Sequence, residues 1–145
     1  MAITTAMCSS FKQELLGGVH DLDTDTIKVA LIKSSHTGTY GAATTNYSDV
    51  TGNSDEVTGT GYTAGGQNLG SANITLDGTT AIVDFADEVF SSVTVSADGC
   101  IIYNASQSNK AIAVFDFGGT VASTAGDFTI QFPAAAAATA VIRIA

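Results

Sequence analysis

Aspartates recur at every second position in His20-Asp-Leu-Asp-Thr-Asp25, placing Asp21, Asp23 and Asp25 where the first ligands of a calcium loop would stand. Such a loop also needs glycine at its sixth position and a bidentate acid at its twelfth, to turn the backbone and to close the coordination sphere. Counted from Asp21, those positions hold Thr26 and Ile32, so the EF-hand reading fails. A looser Ca²⁺ site here, or at Asp84, Asp87 and Glu88, stands beside the plainer reading of a solvated strand entrance. The glycine-rich run Gly59-Thr-Gly-Tyr-Thr-Ala-Gly-Gly66 allows close backbone approach to an anion, but it lacks the Gly-Lys-Ser/Thr ending and GxGxxG spacing of phosphate loops. A conformationally demanding surface loop is its simpler reading. His20 and His36, the only histidines, have no GxSxG or cysteine-nucleophile signature near them. The acids are not accompanied by a Trp-rich sugar platform of the kind expected beside a glycosidase pair. The expectation is therefore no enzyme, no catalytic residue, no metal and no cofactor.

The elements that would position any site read as β. Ile27–Lys33 alternates Ile27, Val29 and Leu31 against Lys28, Ala30 and Ile32. Further runs follow at Ala72–Leu76, Thr80–Phe85, Val89–Ser96, Cys100–Asn104, Ala111–Phe117, Phe128–Phe132 and Ala140–Ile144. Asp77-Gly78 and Asp98-Gly99 are tight-turn signals between neighbouring runs. Phe128, Ile130 and Phe132 alternate with polar residues, whereas Cys100–Tyr103 and Ile112–Phe115 are apolar on both faces, a mixture that suits two packed sheets. About eight strands result, so the expected fold is all-β: one two-sheet, jelly-roll-like sandwich domain over residues 1–145. Residues 1–18 form an N-terminal arm and one short helix, Ser10–Leu16, with a Ser10/Gln13 capping box, a Phe11/Leu15/Leu16 apolar face and a Gly17-Gly18 stop. Pro133 and the alanines after it predict a turn or a short helical corner.

Between Ser34 and Gln67 lies a long stretch of small polar residues, of a length that is usually functional or hides a strand. Tyr40, Tyr47 and Tyr62 stand in it. Large amphipathic rings on small-residue loops mark contact surfaces, although rings folded back onto the sheet are an equal alternative.

Composition narrows the function classes. Hydrophobic residues are 45% and charged residues 13% of the 145, which argues for a folded chain. Fourteen acids against five scattered bases give a net charge of −9, a field that repels nucleic-acid phosphate. It would steer the chain toward a basic protein surface, or serve only solubility. Cys8 and Cys100 are too few and too far apart for a disulfide scaffold and read as reduced apolar residues. No basic n-region with a long apolar run opens the chain, and no apolar run approaches the roughly 20 residues that span a bilayer. The expectation is a protein made in a cytoplasm, with no membrane partner.

Several segments together, Phe11-Lys-Gln-Glu-Leu-Leu-Gly-Gly-Val-His20, the Glu56–Gly66 run, Ile82-Val-Asp-Phe85, Ile102-Tyr-Asn104 with Ser108-Asn-Lys-Ala111, and Phe128-Thr-Ile-Gln-Phe-Pro133 near Ile142-Arg-Ile144, resemble a family of small tailed-bacteriophage virion proteins. The resemblance spans most of the chain and carries no active-site motif. It implies a capsid cement or decoration protein on the outer head surface, assembled in the host cytoplasm, partnered by the major capsid protein and self-associating as a dimer or trimer. The alternative is a tail- or fibre-associated protein with a carbohydrate- or receptor-binding role. The contacts expected on this reading are Phe11, Leu15, Tyr40, Tyr47 and Tyr62, with the alternating Phe128–Phe132 run as a candidate for strand addition to a capsid sheet.

Overall fold

A computed structural model describes residues 2–70 and 72–145. The order of elements is β1 (Ala6–Met7), α1 (Ser9–Leu16), β2 (Ile27–Lys33), α2 (Ser48–Gly52), β3 (Gln67–Asn68), β4 (Asn73–Asp77), β5 (Thr80–Asp84), β6 (Glu88–Asn104), a 3₁₀ turn Ala105–Gln107, β7 (Lys110–Ile130) and β8 (Ile142–Ile144). The fold is all-β, as expected, with two antiparallel sheets and a short N-terminal helix. One sheet has the order β1-β7-β6-β2-β3 and the other β4-β5-β8, so the eight strands among the described residues divide five and three. Val83, Phe85 and Ile142 from the smaller sheet's side join Val29, Leu31, Ile101, Ile112 and Phe90 in one hydrophobic core.

The centre of the larger sheet is where sequence and structure agree best. Val29, Ala30, Leu31 and Ile32 are all buried, as are Cys100–Asn104 and Ala111–Val114, because β2 and β6 have neighbours on both edges and cover on both faces. The Asp77-Gly78 turn also forms. Asp77 pairs with Thr80 across a two-residue loop, and Gly78 supplies the positive φ of 62° that such a loop needs.

Other expectations are corrected. Val89–Ser96 and Cys100–Asn104 are one strand, and so are Ala111–Phe117 and Phe128–Phe132 as far as Ile130. Asp98-Gly99 makes no hairpin; against β2 Asp98 is the extra residue of a bulge between Ala97 and Gly99, against β7 the extra residues are 117–120 of β7 itself, and pairing on both sides overrides local turn preference. The Ser10 capping box is absent. Cys8 is the helix N-cap without a side-chain cap bond, and the Ser10 hydroxyl has no hydrogen-bond partner. The Gly17-Gly18 stop does operate, with the Gly17 N–H donating to Gln13 O, the Gly18 N–H to Leu15 O, and Gly18 at φ 73°. A second short helix, α2, had no apolar periodicity to announce it.

Candidate functional site

The long connection from Ser34 to Gln67 is organised by two adjacent carboxylates, Asp55 and Glu56. Asp55 is fully buried and accepts hydrogen bonds from the Tyr40 hydroxyl at 2.5 Å, from the Thr37 N–H at 2.9 Å and from the Gly38 N–H at 2.8 Å. Burial works against its charge, but the donated bonds from Tyr40, Gly38 and Thr37, with Lys33 nearby, outweigh that and hold the carboxyl below its usual value. Burial and the Asp55 acceptor push the Tyr40 phenol up to about 12. Glu56 accepts from the Tyr47 hydroxyl at 2.5 Å, the Tyr62 hydroxyl at 2.8 Å and the Gly65 N–H at 2.7 Å. Tyr47 stacks on Tyr103 with centroids 4.5 Å apart, and Tyr62 stacks on Phe90 at 5.6 Å. Burial first, then Glu56, raises both phenols. All three tyrosines therefore fold back: Tyr40 closes the connection on itself, and Tyr47 and Tyr62 fasten it to the sheet. The glycine-rich run lies so close to β2 and β6 that a Cβ at Gly66 would stand 1.8 Å from the Val29 carbonyl oxygen and one at Gly59 2.0 Å from that of Thr94.

This arrangement buries two of the five expected contacts. Tyr40, at 2% exposure, and Phe11, at 0%, are core residues of the chain. Phe11 packs on the buried His20 ring at 4.9 Å. His20 Nε2 lies 3.2 Å from Glu14 Oε1 and its Nδ1 lies 3.0 Å from the Asn104 amide nitrogen, so an Nε2–H tautomer satisfies both. Tyr47 and Tyr62 are partly buried. Cys8 and Cys100 are buried free thiols whose pKa burial pushes up to about 12, which keeps them protonated and unreactive at neutral pH. Asp21 and Asp25 accept backbone hydrogen bonds from Asp23 and Asp21, and Asp25 also holds the Asn104 amide at 2.7 Å.

Of the five expected contacts, Tyr40 borders a small polar pocket with Thr39, Thr44 and Asn53, and Leu15 lies at an apolar surface feature. It lines an apolar groove of about 720 Å³ between α1, β1 and the C-terminal segment, walled by Met7, Phe115, Pro133, Val141 and Ile144. Leu16, 92% exposed, stands at its rim together with Ile144, 51% exposed. The expected Phe11/Leu15/Leu16 face thus splits: Phe11 goes to the core, Leu15 to the groove wall and Leu16 to water. The charged residues of the lining are Lys12 and Arg143. Among the described residues neither makes an ion pair, whereas Lys33 and Lys110 each face a carboxylate. Arg143 is aimed by hydrogen bonds from its Nη1 to the carbonyls of Ala137 and Ala138 at 3.2 and 2.7 Å. In a chain with 14 acids, an apolar groove whose charges, among the described residues, are two cations without ion pairs suits an apolar surface carrying a carboxylate. The sequence concealed Arg143 and Ile144, because an alternating Val-Ile-Arg-Ile tail looks like any half-buried strand.

No family model, curated protein or solved structure matches this chain.

Proposed function

We propose that the chain is a capsid cement protein of a tailed bacteriophage, seated on the outer head surface with the α1/β8 groove against the major capsid protein and bridging neighbouring subunits. The observation that carries this reading is the groove itself, which leaves Leu16 and Ile144 in water at no benefit to the isolated fold and places Lys12 and Arg143, without ion pairs among the described residues, in the same lining. The resemblance of the sequence to small virion proteins supplies the partner. A net charge of −9 keeps the rest of the surface away from packaged nucleic acid. The mechanism is linkage: a protein that binds only the assembled lattice stabilises that lattice by its binding free energy.

The test is the abundance and position of the chain in purified particles, followed by heating particles with and without it. Hundreds of copies on the head, with genome release at lower temperature after depletion and recovery on re-addition, support the reading. A few copies at the tail, or unchanged heat tolerance in depleted heads, overturn it.

A further inference from the structure

We infer that β4 is a self-pairing edge and that the chain forms a two-fold dimer by joining its three-stranded sheet to that of a second copy. The inference does not depend on what the groove binds. In the β4-β5-β8 sheet, β4 is an outer strand and all five of its residues are exposed. Of the devices that normally blunt an edge it carries only the terminal charge of Asp77: Asn73-Ile-Thr-Leu-Asp77 has no lysine, no proline and no bulge, and its register with β5 is unbroken from Asn73/Asp84 to Asp77/Thr80. The other edges differ. β1 and β3 are two residues long, β8 is three and holds Arg143, and β7 shifts register repeatedly against β6.

The strand's own geometry selects its partner. The two-residue loop closes on the hydrogen-bonded pair Asp77/Thr80, so Asn73, Thr75 and Asp77 direct their backbone groups toward β5, and Ile74 and Leu76 direct theirs outward. An antiparallel copy centred on Thr75 sets Ile74 opposite Leu76 of the second copy. That pair and its symmetry mate each exchange two N–H···O bonds. Thr75 meets its own counterpart on the axis as a non-hydrogen-bonded pair, the closer kind. Asp77 comes opposite Asn73, so a strongly acidic chain meets itself here without opposing like charges. Ile74 (50% exposed) and Leu76 (73% exposed) lie on the same face as Ala81, Val83, Ile142 and Ile144, and pairing makes that apolar face continuous across six strands. An isologous contact of this kind closes at two copies.

The experiment is sedimentation equilibrium of the intact chain up to about 1 mM, since an interface this small belongs to the weaker class, together with diamide oxidation of Thr75→Cys. A concentration-dependent shift from 14.6 kDa to twice that mass is expected, along with a Thr75→Cys disulfide dimer that forms at least tenfold faster than one from Thr63→Cys on an exposed loop. The double variant Ile74→Lys, Leu76→Lys, folded by its unfolding midpoint, should stay at the monomer mass. A monomer throughout, equal crosslinking rates, or a dimer that survives the double variant each overturns the assignment, whatever the particle experiments give.

Discussion

The buried Tyr40 hydroxyl donates to the buried Asp55 carboxylate at 2.5 Å, joining two residues that flank α2 and closing the long connection on itself. Tyr40→Phe leaves the carboxylate with one donor fewer and should cost about 1–3 kcal/mol in urea unfolding. A loss below a few tenths would show that the pair does not fasten the connection.

Asp55 also makes a pH prediction. Its folded pKa lies below the ordinary 3.8, so the stability it supplies is fully present above 3.8 and is lost as pH falls through the lower folded value. Asp25 acts with the same sign, held low by the Asn104 amide and the Asp21 N–H. Urea midpoints of the native chain should therefore fall between neutral pH and pH 2 more steeply than those of Asp55→Asn, and parallel curves would count against the buried carboxylate as the cause.

Phe11 has no exposed surface and packs on His20. Phe11→Ala should destabilise the isolated chain by about 3–5 kcal/mol through lost burial and a residual cavity. The fraction that remains folded should bind particles like the native chain, which separates a core role from a contact role.

Leu16→Asp tests the groove from the opposite side. Because Leu16 is 92% exposed, its replacement should change the unfolding free energy by no more than about 0.5 kcal/mol. Occupancy on particles should nevertheless fall, and Lys12→Glu should lower it further; unchanged occupancy in both would move the contact away from this groove.

Gly66→Ala is expected to cost about 3 kcal/mol or more, since φ is 74° and the new methyl would meet the Val29 carbonyl oxygen. Circular dichroism with thermal melting reads the loss directly.

What the sequence determined by itself is what short-range periodicity encodes. The two-residue alternation of Ile27–Lys33, the runs apolar on both faces around Cys100–Tyr103 and Ile112–Phe115, and the Asp77-Gly78 turn name strands, burial and one hairpin without reference to distant residues. Tertiary structure decided the rest, because those features depend on partners far along the chain. Asp98-Gly99 has turn chemistry yet lies inside a strand, since β2 and β7 pair with β6 on either side of it. Tyr40, Tyr47 and Tyr62 have the composition of a contact loop, but Asp55 and Glu56 draw their hydroxyls inward, and a buried phenol needs such an acceptor. Leu15 and Leu16 are chemically identical neighbours; only the direction of α1 against β7 and β8 sends one to the groove wall and the other into water.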